Sequence, residues 1–364
     1  MAETKDTTTL RATCLCTCST LSFTVPTSSL PLATHFCHCS ICRRTHGTLC
    51  TIHTPIPKPD VNFDTFTSYE SSGRATKYFC STCGGHMLDY AKFLDGNGKW
   101  NGEGQWHLAT SLIDGPETLW SFHSHFNLES TKDGGLSTWI PSIDRKVLKK
   151  WGGSETSDPK HAKTGDYEPP NPLPQTKEGK EKLHAHCHCG GVSFYISRPG
   201  ADSFTHLPPS LTSRDPRKWY ATHDVCTSCR LASGCAIVSW AFPTAECITL
   251  SDGSPYTPVF GTAKEYESSK GVKRTFCGRC GAIVTYACDE RPKMVDIPVG
   301  LLDAESGVRA EEWLEWRSHK LAYEGDVVWK GVIGGLKKGL RSWMEEKVRE
   351  YNGDFEGSGD EKCA

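Results

Sequence analysis

Two stretches of the chain alternate apolar and polar residues in the manner of a strand with one buried face. Leu21, Phe23 and Val25 are separated by Ser and Thr, and Val192, Phe194 and Ile196 by Ser and Tyr. Successive side chains of a strand point to opposite faces, so a period of two puts each trio on one side. Clusters such as TPIPKPD and SDGSPYTP punctuate turns. A helical period stands out near the end, where Leu336, Leu340, Trp343 and Met344 recur at intervals of three and four within GGLKKGLRSWMEEKVREY. That pattern predicts a surface helix capping the second half of the chain, with its apolar stripe turned to the core. The expectation is a mostly β protein, and no apolar run approaches the ~20 residues needed to span a bilayer.

The pattern is written twice. The first half carries CTCSTLSFTV, CHCSICRRTHG, YESSGRATKYFCSTCGG and SLID, and the second carries CHCGGVSFYI, DVCTSCRLASG, YESSKGVKRTFCGRCGA and GLLD in the same order. Tyr69 and Tyr266 each stand eleven residues before Cys80 and Cys277. Such self-similarity marks a tandem repeat. Between the copies runs GGSETSDPKHAKTGDYEPPNPLPQTKEGKEK, too poor in large apolar residues to bury a core of its own. The expected organisation is a first β domain over 10–150, a linker over 151–182, a second β domain over 183–332, and a C-terminal helix and tail over 333–364.

A chain of 364 residues is long enough for two ordinary cores, and a net charge of −2 offers no basic footprint for nucleic acid. MAETKDTTTLRATC lacks the charged-then-apolar form of a secretory signal, so a reducing, cytoplasmic setting is expected. There, 19 cysteines read as metal ligands or buried thiols rather than as a disulfide framework.

Zinc takes four ligands in a tetrahedron, and CxC or CxxC on a tight turn lets two thiolates reach one ion. Each copy offers one of each. The alternating run places the first set at Cys16, Cys18, Cys80 and Cys83 and the second at Cys187, Cys189, Cys277 and Cys280, leaving Cys14 free. Closed four-thiolate sites of this kind are structural, and each can contribute roughly 10 to 16 kcal/mol to folding.

A different arrangement is expected of Cys37, Cys39 and Cys42. Three protein ligands and an exchangeable fourth position make a catalytic centre, where zinc holds an incoming thiol as a thiolate nucleophile. Arg43 and Arg44 follow directly and suit either a thiolate-rich site or a substrate carboxylate, with Arg43 favoured because Arg230 repeats it. His35 and His38 flank the loop, and either would close the site by supplying a fourth ligand. In the second copy Asp224 stands in the place of Cys37, beside Cys226 and Cys229. Exchanging a soft ligand for a hard one weakens that triad, with His223 as a substitute donor, and predicts an impaired second centre.

CxC, CxCxxC-R and CxxCG in this order resemble the glutathione-dependent formaldehyde-activating enzyme family, grouped with centromere protein V-like domains. The resemblance implies a small β fold with a structural and a catalytic zinc, and a carbon–sulfur lyase activity that joins formaldehyde and glutathione as S-(hydroxymethyl)glutathione. It assigns Cys37, Cys39 and Cys42 to the reactive ion and a small thiol such as glutathione as partner. The competing expectation is a non-catalytic, zinc-stabilised module that binds a protein or a small thiol.

Overall fold

The computed structural model describes residues 6–153, 167–170, 181–205 and 207–357. Most of the expected linker over 151–182, and the tail beyond 357, lie outside the described residues. The first half opens on an antiparallel hairpin of β1 (Thr7–Thr13) and β2 (Thr20–Pro26). It continues through β3 (Leu32–Cys37), α1 (Ser40–His46), β4 (Thr51–Ile56), β5 (Phe66–Ser72), β6 (Ala75–Cys80), β7 (His86–Leu94), β8 (Trp100–Ala109) and β9 (Trp120–Phe126). A small hairpin of β10 (Ser142–Ile143) and β11 (Lys146–Val147) and the short β12 (Lys149–Lys150) complete it. Eight of these strands form one sheet in the order β12-β9-β3-β4-β8-β7-β6-β5. The predicted alternation holds in β2, where Leu21, Phe23 and Val25 are buried and Thr24 faces water.

The second half repeats this plan as β13 (Lys182–His186), β14 (Ser193–Ser197), β15 (Trp219–Asp224), α2 (Thr227–Ser233), β16 (Val238–Ala241), β17 (Ile248–Leu250), β18 (Ala263–Ser269), β19 (Val272–Cys277), β20 (Ile283–Cys288), β21 (Ile297–Pro298) and β22 (Leu314–Trp316). Its sheet is divided, as β21-β16-β15-β22 and β18-β19-β20. The break falls at β21, two residues long where its counterpart β8 has ten. Pro298 supplies no N–H to a ladder, and a lone bridge between Tyr286 and Asp296 is what joins β20 to β21.

The two halves share one buried core and meet through reciprocal contacts. A β-carbon on Gly84 would strike the ring of Phe276, and one on Gly281 would strike the ring of Phe79. Both glycines have positive φ, +77° and +76°. Their exchange of contacts is the mark of a self-complementary interface. Side chains cross the seam in both directions: His46 Nδ1 lies 2.8 Å from the Ser233 carbonyl, His86 Nε2 lies 2.9 Å from the Cys280 carbonyl, and Arg230 donates to the Ser111 carbonyl.

The terminal helix α3 (Lys330–Gly357) packs on both halves. On the second half Lys337 Nζ pairs with Glu324 Oε2 at 2.7 Å and Lys347 Nζ with Glu311 Oε2 at 3.5 Å, and the same helix also closes the end of the first half. Gly339 lets its backbone sit against the Trp139 carbonyl, and the Trp343 ring meets that of Trp139 at 5.4 Å. The Glu117 carboxylate accepts from the N–H groups of Gly331 and Val332 at 2.8 and 3.0 Å, so the first half also caps the helix start. The stripe predicted from Leu336 and Leu340 is core, as both are fully buried.

Stacked at 4.3 Å, His46 and His86 put two imidazoles at the seam. Burial, before any other cause, holds His46 well below the ordinary histidine range and lowers His86 to about 4; it lowers His125, deep in the first half, to about 4 as well. These folded-state values lie below the unfolded one near 6.5, so the folded protein binds fewer protons. Stability is therefore full above about pH 6.5 and lost as pH falls toward 4, by about 1.4 kcal/mol per pH unit for each such imidazole. Urea midpoints at pH 7.5 and 5.5 are expected to show the loss, and His86→Gln is expected to reduce it; an unchanged pH slope in that variant would contradict the assignment.

Candidate metal centres

Each half gathers four thiols from its opening hairpin and from the turn between two later strands. In the second half these are Cys187, Cys189, Cys277 and Cys280, the set read from the sequence. In the first they are Cys14, Cys16, Cys80 and Cys83, so Cys14 takes the place expected of Cys18. Cys18 is exposed, its sulfur 3.8 Å from the Cys16 carbonyl. The backbone shows the true correspondence: Cys14 N–H donates to the Ser19 carbonyl as Cys187 N–H donates to the Val192 carbonyl. Alternation has a period of two, and a slip of two residues leaves every side chain on its own face, so the strand pattern could not fix this register.

Sulfurs in these groups stand 3.5 Å apart for Cys14 and Cys16, Cys16 and Cys80, Cys187 and Cys189, and Cys189 and Cys277. A tetrahedron with zinc–sulfur bonds of about 2.3 Å needs sulfurs about 3.8 Å apart, so four thiols at this spacing fit a zinc ion. Backbone N–H groups also point at them, from Ser19 to Cys14 and from Cys280 to Cys277, each at 3.4 Å. A tyrosine of the opposite half overlooks each group. Tyr69 Oη lies 2.7 Å from Nδ1 of His188, the residue between Cys187 and Cys189, and burial and then the nearby thiols push its hydroxyl up to about 12. Tyr266 is raised in the same way beside Cys16 and Cys83.

The triad Cys37, Cys39 and Cys42 is brought together with its sulfurs within 4.8 Å of one another. Cys37 ends β3, Cys39 is the N-cap of α1, and Cys42 lies in its first turn, with Cys42 N–H donating to Cys39 Sγ at 3.3 Å. Asn127 Nδ2 donates to Cys37 Sγ at 3.3 Å. Among the described residues no fourth His, Cys, Asp or Glu joins the group. His38, fully buried, pairs through Nε2 with His125 Nδ1 at 2.9 Å, and His35 packs its ring edgewise on Phe126 at 4.7 Å. Neither histidine closes the triad.

A buried ammonium beside the triad went unseen in the sequence. Lys77 Nζ, on β6, lies 3.9 Å from Cys42 Sγ and 2.7 Å from Asp89 Oδ2. Burial opposes its charge, but Asp89 and then Cys42 raise it above the ordinary lysine range. Burial likewise opposes the Asp89 charge, yet Lys77 and then His53 hold that carboxyl well below the usual range. Hydrogen bonds from Cys37 and Cys42, with the Cys42 N–H and Lys77 behind them, hold the Cys39 thiol well below its ordinary value. The cation belongs to a polar row on one sheet face: Lys77 opposes Asp89, Asp89 opposes His107, and His35 opposes His53 across neighbouring strands. A signal for Lys77 was present, since Arg274 stands at the same offset, three residues before Cys277.

Both arginines after the triad are committed elsewhere. Arg43 is buried behind it, donating from Nε to the His38 carbonyl at 3.1 Å and from NH2 to the Ser130 carbonyl at 3.2 Å. Arg44 pairs with Asp303 of the other half at 2.7 Å. The Arg43 guanidinium thus gives Nε and NH2 to backbone carbonyls in the interior, while its NH1 is buried without a hydrogen-bond partner.

Asp224, Cys226 and Cys229 also converge, with Arg274 in the role of Lys77, both terminal nitrogens 3.9 Å from Cys229 Sγ. Asp224 Oδ1 is engaged by Cys226 N–H at 2.7 Å. His223 is no substitute donor. It points to the opposite face of β15, where Nδ1 meets Ser239 Oγ at 2.9 Å and the ring stacks on Trp316.

The family model of the glutathione-dependent formaldehyde-activating enzyme matches residues 11–98 and 210–317, more than half of the chain and once in each half. The chain belongs to this family. No curated protein matches it. A solved Rhodobacter sphaeroides protein is similar at 18% identity over 37% of this chain and 99% of its own, with a TM-score of 0.24. Family membership associates the chain with glutathione-dependent activation of formaldehyde, and its cysteine groups have the composition and spacing to hold metal ions. Among the described residues no helix is long and apolar enough to cross a membrane.

Proposed function

We propose that the first half is a zinc-dependent carbon–sulfur lyase that joins formaldehyde to a small thiol such as glutathione and reverses the addition, working in the cytoplasm. Cys37, Cys39 and Cys42 are its reactive-ion ligands, within a domain spanning 10–150. The observation that carries this reading is a cluster of three thiols beside a buried ammonium, with no fourth His, Cys, Asp or Glu among the described residues. Zinc held there supplies Lewis acidity that converts a thiol ligand to its thiolate at neutral pH. Lys77 adds a fixed positive charge at Cys42 Sγ, Asp89 keeps that ammonium in place, and Asn127 orients Cys37 by its hydrogen bond. In the addition, the thiol sulfur forms a bond to the formaldehyde carbon, the carbonyl π pair moves to oxygen, and the proton lost by sulfur ends on that oxygen. No oxidant or reductant is consumed.

In the same reading the four-thiol groups are structural zinc sites, and the second half, 183–332, is a non-catalytic support. Asp224 carries this last point, because a hard carboxylate already holding a backbone N–H replaces a soft thiolate.

Exchange between free formaldehyde, glutathione and their adduct, followed by NMR with the full chain, tests the proposal. Acceleration by the wild-type protein, and its loss in a Cys39→Ser variant with an unchanged melting temperature, are expected. Binding of glutathione without any acceleration would instead support the binding-module reading, and equal rates in wild type and variant would remove the triad from the mechanism.

A further inference from the structure

We propose that His184, His186 and Asp303 form a separate site for a divalent ion of the zinc, cobalt or nickel class, at the seam between the halves. One ligand atom from each lies within 4.8 Å of the others. His184 and His186 project from the same face of β13, two residues apart, and their rings stack at 4.8 Å with 26° between planes. Asp303 reaches them from the turn after β21, fixed by its own N–H donating to the His184 carbonyl at 2.8 Å.

Each donor is oriented by a polar neighbour, as metal ligands are by their outer partners. His184 Nε2 lies 2.8 Å from Ser193 Oγ, and Tyr195 stacks on the ring at 4.9 Å. His186 Nδ1 lies 3.0 Å from the Cys187 carbonyl and 3.1 Å from Arg44 NH1, and Nε2 is free to ligate in the tautomer whose Nδ1 proton goes to the Cys187 carbonyl rather than accepting from Arg44. Arg44 holds Asp303 through Oδ1, which leaves Oδ2. The positive charge of Arg44 lowers the affinity of any cation here, so the site is weaker than the thiol groups. Two imidazole nitrogens and one carboxylate oxygen are a borderline donor set, suited to zinc and its neighbours rather than to calcium or magnesium. Half of the Asp303 side chain is exposed, which gives an ion its way in.

The site is not part of the repeat. The same backbone contact joins Asp114 N–H to the Arg11 carbonyl in the first half, and there the places of His184 and His186 are held by Arg11 and Thr13. Arg44, which pairs with both His186 and Asp303, lies on α1 two residues after Cys42.

Cobalt(II) titration of the full chain, isolated with its thiol sites filled, separates this site from the others by its ligands. One further cobalt per chain is expected, with visible d–d bands and no added sulfur-to-cobalt charge-transfer band in the near ultraviolet. Asp303→Asn and His186→Ala are each expected to weaken that binding about tenfold or more, and Cys39→Ser to leave it unchanged. The proposal is overturned if no further ion binds at millimolar cobalt, if the added ion brings a thiolate charge-transfer band, or if affinity is unchanged in the folded Asp303→Asn protein.

Discussion

Gly281→Val is expected to destabilise the whole chain, not the second half alone, by about 3 kcal/mol or more. Two costs combine. A β-branched residue at φ +76° is strained by about 1 to 3 kcal/mol, and the new side chain must enter space filled by the Phe79 ring, an overpacking cost of about the same size. Phe79 is itself buried, in edgewise contact with Phe276 at 6.5 Å, so it has nowhere to retreat. Urea unfolding followed by tryptophan fluorescence and by circular dichroism should give one coincident transition at a lower midpoint. Two separated transitions, with the first half keeping its wild-type midpoint, would show that the seam does not bind the halves into one cooperative unit. Gly84→Val, at the reciprocal position against Phe276, is expected to behave alike.

The second large effect is a contrast between neighbouring cysteines. Cys14→Ser is expected to remove one zinc per chain and to unfold the whole chain, because the free energy at a structural four-thiolate site, of the order of 10 to 16 kcal/mol, depends on all four donors. Cys18→Ser is expected to change neither metal content nor melting temperature, since its thiol points to solvent outside the group. Native mass spectrometry for ion count, paired with thermal unfolding, decides the matter. The reverse result would restore the register inferred from strand alternation.

That register marks the limit of what the residue pattern can carry. The repeat, the β character, the second four-thiol set and the convergence of Cys37, Cys39 and Cys42 were legible, because spacing between cysteines on tight turns is local and is kept in both copies. What required long-range placement was hidden. Cys14 and Cys16 are distinguished from Cys16 and Cys18 by one backbone hydrogen bond, to which a period-two pattern is blind. Lys77 looks in sequence like any polar strand residue, and it is the facing Asp89, on a different strand, that makes its burial tolerable. Arg43 sits beside three thiols along the chain, yet its side chain turns inward to carbonyls, because α1 is short and its far face is covered by the other half.

The reciprocal seam gives the molecule the character of a homodimer fused into one polypeptide. In a true homodimer every change is made twice, so a substitution that ruins a reactive centre ruins both. Fusion lifts that constraint, and one seat can exchange a thiol for Asp224 while its tyrosine continues to overlook its sister's cysteines. Under the proposed function the two copies divide the labour, one free to diverge in chemistry provided that it goes on bracing the other.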